Sequence, residues 1–416
     1  MNLITDKFTS KEVDFLKKNS KDESLEICPP DIYLSDTLQK ETKEIHSFKE
    51  RLEAVQLVED KFLCVVFKVS SGKTKNTEEL FEKTFHTILQ PDKGIWEKID
   101  KNIYTLTLWD YDKKSKAETI LQLLIQKMSK ASDIEICAGA SWFPFLEYSR
   151  YDTFDNAVKA LDHAAFFGKD SFKFFDAVSI HIYGDRLYQL GQIENASIEY
   201  QKGLELDKKN IMLINSLGVC YGLIDMLDKA KDEFKKVLAI NSSEIISIYN
   251  LGLVYDLIGE SDKAIQYLKK ANSIDSSIFE IELLLGNLFY KADETDKALY
   301  HLQKALKLKK ESWSALRITG EIFLKQNKLN KAVLNFSNAV KINPTDAVSL
   351  SGIAKVYEIQ NKNIDIAILF AEKSIKFDPG NPLFKTRLKE IYARKKLNLA
   401  SHQPNNDHNG EKIKYG

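Results

Sequence analysis

Few residues in this sequence are spaced for chemistry. Gly72-Lys73-Thr74 follows a strand-like run and precedes a helical one, the order of a phosphate-cradling loop. That loop needs its first glycine five residues earlier, where Phe67 stands, so the segment reads as a charged loop. The seven histidines (His46, His86, His163, His181, His301, His402, His408) make no ligand spacing such as HExxH, and no GxSxG elbow occurs. Cys28, Cys64, Cys137 and Cys220 lie far apart and outside CxxC pairs, which argues against both zinc and a disulfide framework. Cys64 and Cys137 sit in apolar runs and read as core thiols. Asp110 and Asp112 read as solvated loop acids. The expectation is a chain that is not an enzyme, with no catalytic, cofactor-binding or metal residues and no cofactor.

Composition narrows the classes further. The chain has 416 residues, 44% hydrophobic and 29% charged, which is a globular composition. Sixty Lys and Arg balance sixty Asp and Glu, so no net field draws the chain to nucleic acid or an acidic membrane. Residues 1–18 carry scattered charges without an apolar stretch of the signal-peptide kind, and no apolar run approaches the roughly 18 residues of a membrane span. A soluble cytoplasmic protein without nucleic-acid or membrane partners is expected.

The elements that would position any functional residue are found by counting. Gly184, Gly218, Gly252, Gly286 and Gly320 are spaced by 34 residues, as are Ala196, Ala230, Ala264, Ala298 and Ala332. A large side chain follows each glycine by three: Leu187, Tyr221, Tyr255, Phe289, Phe323. Another follows each alanine by four: Tyr200, Phe234, Leu268, Leu302, Phe336. A glycine and an alanine allow two helices to approach, the large residues fill the space between pairs, and Gly191 or Gly259 (Asp225, Asp293, Asn327 elsewhere) ends the first helix of each pair. Each pair buries its apolar face only by stacking on the next.

These residues resemble the tetratricopeptide-repeat (TPR) family, implying an all-α superhelical solenoid. Six repeats are placed at 177–210, 211–244, 245–278, 279–312, 313–346 and 347–381, the last one residue longer, with a capping helix at 382–397 and a disordered tail at 398–416. The resemblance implies a concave wall lined by the first helix of each pair. Carried over position by position, it holds His181, Asp185, Tyr188, Asn215, Val219, Tyr249, Leu253, Asp256, Leu283, Asn287, Tyr290, Arg317 and Glu321, with Gly222, Leu324, Ser351, Lys355 and Glu358 at the remaining positions. The lysine–asparagine clamp that some relatives use for a peptide carboxylate is absent. The mixed wall suits a protein or peptide ligand, extended or helical, with apolar anchors. Tyr249, Leu253 and Leu283 could equally serve only to pack the solenoid. Oligomeric state is left open.

The half before the repeats follows other rules. Phe62–Val69 is a short apolar, β-branched run and reads as a buried strand. Residues 77–89 and 117–128 have helical spacing, 95–110 reads as a hairpin turning at Asp100-Lys101-Asn102, 134–142 as a strand and 154–167 as a helix. This β-α-β-β-α-β-α order implies an α+β domain with a mixed sheet backed by helices. It resembles the GGDEF (diguanylate cyclase) domain. The closest match is Gly139-Ala-Ser-Trp142 followed by Ala160-Leu-Asp162-His-Ala164 and Gly168. The family's catalytic parts do not carry over: the hairpin has no glycine, Ile103 stands at its acidic position, and Phe67-Lys68-Val69 replaces a strand ending in a metal-binding aspartate. The domains expected are an irregular segment at 1–35, one amphipathic linker helix at 36–58, a degenerate GGDEF-like domain at 59–175 and the repeats from 177. The leading function is a non-catalytic scaffold in bacterial signalling; the alternative is a divergent cyclase or nucleotide sensor regulated by the repeats. At the junction, Phe172 and Phe174 are expected in the first core and Phe175 against the first repeat, near Ile180 and Tyr183.

Overall fold

The computed structural model describes residues 15, 33–38, 42–54, 60–69, 77–88, 94–109, 114–132 and 135–401. By their contacts they form two units, residues up to Ser247, and residues 248–401 together with Phe15.

The first unit opens with α1 (Leu34–Leu38) and α2 (Lys43–Ala54). One helix over 36–58 was the sequence expectation. Instead a new helix begins after Thr42, whose hydroxyl accepts from the Ile45 N–H at 3.3 Å and so caps it. A five-stranded sheet follows, from β1 (Phe62–Val69), β2 (Gly94–Asp100), β3 (Ile103–Trp109), β4 (Ile136–Phe143) and β5 (Phe172–Phe174), in the order β2-β3-β1-β4-β5. β1 runs antiparallel to both β3 and β4, and β5 is parallel to β4. Helices α3 (Thr77–Ile88), α4 (Lys114–Ser132) and α5 (Asp152–Ala165) complete the domain.

The continuous apolar run of β1 is explained by its place at the sheet centre, covered on both faces. Alternate residues divide between two cores. Leu63, Val65, Phe67 and Val69 join Phe81 and Phe85 of α3 and Leu121, Leu124 and Met128 of α4. Phe62, Cys64 and Val66 join Ile45, Phe48 and Leu52 of α2 and Phe154, Ala157 and Leu161 of α5.

In α5 every residue from Thr153 to Ala164 except Asp155 is buried. One side lies on β4 at Gly139, where an added Cβ would fall 2.1 Å from the Ala157 carbonyl oxygen and from the Leu161 nitrogen. Its other side meets α6 (Ala177–Gln189) and α7 (Ile193–Leu206), the first helix pair. There Lys159 Nζ donates to Glu199 Oε2 at 2.6 Å and lies 4.7 Å from the centre of the Tyr183 ring. His163 Nδ1 lies 3.1 Å from Ser179 Oγ, and Asp162 accepts from the Ser35 N–H at 3.1 Å. Arg186 donates from Nε to Asp36 Oδ2 at 2.8 Å, fastening α1 to α6. Phe172 and Phe174 pack on the first core, while Phe175 is buried with Ala160 and Ile180.

The pair α8 (Ile211–Leu223) and α9 (Leu227–Ile240) ends the first unit, and α10 (Ile245–Leu257) crosses into the second. The second unit continues with α11 (Ser261–Ile274), α12 (Phe279–Lys291), α13 (Thr295–Leu308), α14 (Trp313–Lys325), α15 (Leu329–Ile342), α16 (Ala347–Gln360), α17 (Ile364–Phe377) and α18 (Pro382–Ser401). Each 34-residue glycine meets the large side chain 16 residues on: Gly184 against Tyr200, Gly218 against Phe234, Gly252 against Leu268. The glycine therefore makes room chiefly for that side chain, while the alanines at the second marker are fully buried.

The turn inside each pair repeats one geometry. Gly191, Asp225, Gly259, Asp293, Asn327 and Asn361 all have positive φ. The residue after each donates its N–H to the carbonyl five residues back, from Gln192 to Leu187 at 2.9 Å through Lys362 to Tyr357 at 3.2 Å. This closes the helix by the left-handed C-terminal motif, which Asp and Asn tolerate in place of glycine.

Two stability changes are expected. Gly139→Val should cost ~3 kcal/mol or more, because its neighbours are backbone atoms, whereas Gly252→Leu should cost ~1–3 kcal/mol, because the Leu268 side chain can shift; urea midpoints rank the two. Burial alone would raise the Glu199 pKa, but Lys159 and Lys202 outweigh it and hold the group below its usual value. Its contribution is therefore full above the unfolded value of about 4.3 and fades as pH falls through the lower folded value. Glu199→Gln should cost about 3 kcal/mol at pH 7, leaving Lys159 unpaired, with the deficit shrinking below about pH 4 when melting is followed across pH.

Candidate binding wall

The wall residues come from the first helix of each pair, and each unit holds its own section. In the second unit α12 packs against α14, α14 against α16 and α16 against α18, so these helices share one side. Helix spacing of three to four residues brings Tyr290, Arg317 and Glu321, Ser351 and Arg387 to it from four elements.

Burial divides the expected residues. Tyr249, Leu253, Leu283 and Arg317 are buried, while Asp256, Asn287, Tyr290 and Glu321 are partly exposed. Arg317 Nη1 lies 3.8 Å from Asp346 Oδ1, and its guanidinium lies 5.4 Å from the centre of the Trp313 ring. Burial pushes the Glu321 carboxyl up, moderated by Arg317 and Arg387 and reinforced by Asp346. Burial, with Glu321 adding to it, pushes the Tyr290 hydroxyl up to about 12, and Lys325 Nζ sits 4.8 Å from the centre of that ring. Lys291 Nζ reaches Asp256 Oδ1 at 3.3 Å.

Lys355 and Glu358 were expected on the wall, but Arg387 was not. Arg387 comes from α18, which the sequence marked only as a cap. Its Nη1 donates to Ser351 Oγ at 2.7 Å, and burial lowers its pKa despite Glu321 and Glu390 nearby. Lys355 Nζ bridges Glu358 at 2.7 Å and Glu390 at 3.1 Å. A usable signal existed: pairs of complementary residues 35 or 36 apart, such as Asp256/Lys291, Lys355/Glu390 and Glu358/Arg394, join the first helices of successive pairs.

The section in the first unit is a hydrogen-bonded ladder. His181 Nε2 lies 3.2 Å from Ser216 Oγ and 3.6 Å from Asp185 Oδ1. Asp185 accepts from the Tyr200 hydroxyl at 2.7 Å, and Asn215 Oδ1 accepts from Ser247 Oγ at 3.0 Å. Val219 is fully buried and Tyr188 is half-buried.

The sheet domain places its hairpin end beside the end of β1. The Val69 N–H donates to the Asn102 carbonyl at 2.9 Å, and Ile103 is buried. Gly72-Lys73-Thr74, Asp110, Asp112 and Cys28 lie outside the described residues. Among the described residues no group of three His, Cys, Asp or Glu side chains is placed to hold a metal ion. Cys64 is buried, and burial pushes its thiol up; Cys137 is half-buried, with Sγ 3.3 Å from the Gly168 carbonyl oxygen. A shallow cleft of about 650 Å³ lies between α4 and β5, away from the hairpin, lined by Gln122, Gln126, Ser129, Lys130, Asp170 and Phe172 among others. Among the described residues no helix is long and apolar enough to cross a membrane.

Comparison with curated proteins gives no match. Among solved structures the chain is similar to YrrB, described as a TPR protein with an unusual peptide-binding site: 20% identity over 46% of this chain and 97% of that one, with a TM-score of 0.39. It is similar to pilF of Pseudomonas aeruginosa at 19% identity, over 52% of this chain and 96% of that one, TM-score 0.47. It is similar to MamA at 24% identity, over 39% of this chain and 96% of that one, TM-score 0.36. A family model described as tetratricopeptide repeat matches residues 179–210 and 246–278. Residues 179–210 and 246–278 thus match the tetratricopeptide repeat, and the same 34-residue glycine and turn geometry recurs in the helix pairs around them.

Proposed function

We propose that this chain is a non-catalytic interaction scaffold whose repeats, at 177–381 with α18 as their cap, hold a segment of a partner protein against the wall of first helices. The observation that carries the reading is the repeat itself, matched by the family model and built as helix pairs whose first helices share one side. A partly exposed Tyr290 among arginines and acids offers an aromatic anchor ringed by charge, the usual composition of a binding centre. We place the protein in bacterial signalling in the cytoplasm.

We further propose that residues 59–175 are a degenerate GGDEF-like domain. The split β-α-β-β-α-β arrangement with β1 between β3 and β4 supports this, as does the use of Gly139 to seat α5. Two Mg²⁺ ions and a triphosphate need oxygen ligands at the β1 and hairpin ends. Of Val69, Asp100 and the buried Ile103 at those ends only Asp100 carries a side-chain oxygen, fewer than two metal ions require, which favours a scaffold over the cyclase or nucleotide-sensor alternative.

Two measurements test the proposal. Incubation with GTP and Mg²⁺ should yield neither cyclic dinucleotide nor pyrophosphate, and turnover would sink the non-catalytic reading. The full chain should capture a discrete partner, and Tyr290→Ala should weaken that capture by about tenfold or more, in line with loss of an aromatic hot spot. Undiminished capture by the variant would remove this wall as the binding surface.

A further inference from the structure

The charges on the wall of the second unit sort into pairs, save two. Arg317 faces Asp346 at 3.8 Å, Lys291 faces Asp256 at 3.3 Å and Lys325 faces Asp293 at 3.5 Å. Lys355 bridges Glu358 and Glu390, and Arg394 lies 3.5 Å from Glu358. The two left over are Glu321 of α14 and Arg387 of α18, both partly exposed. Among the described residues Glu321 has no hydrogen bond or ion pair, and Arg387 donates only to the neutral Ser351 hydroxyl, at 2.7 Å. Each lies within electrostatic reach of the other and of Tyr290, yet no ion pair joins them. Burial tilts both toward their neutral forms, raising the Glu321 carboxyl and lowering the Arg387 guanidinium. A carboxylate and a guanidinium thus share one wall, each without a direct partner for its charge.

A ligand group can complete them in few ways. A cation would suit Glu321 but meet Arg317, Lys325 and Arg387; an anion would suit Arg387 but meet Glu321, Glu358 and Glu390. A neutral group with a donor at one end and an acceptor at the other meets neither penalty. In a protein segment that group is the amide. We infer that this wall recognises an amide of the partner segment, its N–H donating to Glu321 and its carbonyl accepting from Arg387, beside the Tyr290 ring. The inference rests on reading the wall as the binding surface. Two sources supply such a group, a peptide bond or the side chain of Asn or Gln. With either, the partner sets an uncharged polar group, not a basic or acidic one, between Glu321 and Arg387, and the charge of the wall stays balanced.

The probe is a phage-displayed library of random peptides selected on the full chain, with the enriched peptides then synthesised. Glu321→Met and Arg387→Met should each weaken their binding about tenfold or more, the loss of a hydrogen bond to a charged group. For a selected peptide free of His, Asp and Glu, affinity in wild type should fall as pH is lowered through the raised Glu321 value, because protonation removes the acceptor. Glu321→Gln should flatten that dependence, while Arg317, Lys325, Asp346, Arg387 and Tyr290, which also face position 321, remain in the variant. Loss of affinity when a shared Asn or Gln of the peptides is replaced by Met assigns the amide to a side chain; loss on N-methylation of one peptide bond assigns it to the backbone. No loss from either, peptides held through a carboxylate or an ammonium, or equal binding to both Met variants would overturn the inference. Tyr290→Ala separates it from the reading beneath. Binding lost there but kept in both Met variants removes the amide contact and leaves the wall. Binding kept in Tyr290→Ala removes the wall and the amide contact together, and failure to enrich any peptide counts against both.

Discussion

The first unit depends on how closely α5 can approach β4. At Gly139 the helix backbone lies where any other residue would place its Cβ, and Ala157, Ala160 and Ala164 are fully buried. Small side chains thus hold the helix against the sheet and leave its polar positions for the opposite side. Lys159, Asp162 and His163 could not be buried against an apolar neighbour at tolerable cost. Each instead meets a polar partner: Glu199, the Ser35 N–H and Ser179. One helix therefore serves as the outer layer of the sheet domain and as the neighbour against which the first repeat stacks. That dual role removes the need for a flexible linker between Phe174 and Ala177, and Phe175 fills the gap beside Ala160 and Ile180.

The repeats are held by a different economy. Each needs a glycine that admits the large side chain 16 residues on, and a positive-φ residue that ends the first helix. The motif is identical whether that residue is Gly191, Asp225 or Asn327, because the backbone hydrogen bonds closing the helix do not involve its side chain. Electrostatics then vary freely along the frame. In the fourth repeat Glu282 is fully buried and is met by His301 at 2.6 Å and Lys304 at 3.3 Å, where the first repeat uses Glu199 with Lys159 and Lys202. The frame conserves where a buried carboxylate can be compensated, while the helix that carries it changes.

Much of this was legible in the sequence because it is local and periodic. The 34-residue spacing identified the helix pairs and their turn residues, and the β-branched run at Phe62–Val69 identified a buried strand. Local chemistry alone was less sure of element edges. The start of α2 after Thr42 depends on capping, which is not periodic. The candidate wall was legible only as positions. Which of them close and which stay partly open depends on neighbours remote in sequence, as Arg317 and Tyr290 show, and Arg387 entered from a helix outside the counted repeats.

The sequence by itself determined the repeat, its turn geometry, and the lack of motif spacing for metal or nucleophilic chemistry, since each is a matter of residue type at fixed separation. Only the tertiary structure decided that α5 faces both a sheet and a repeat and that Lys159 pairs with Glu199 across 40 positions. Those are long-range pairings between unlike elements. No period links their partners, so only the folded chain, which must compensate every buried charge and cover every apolar face, selects them.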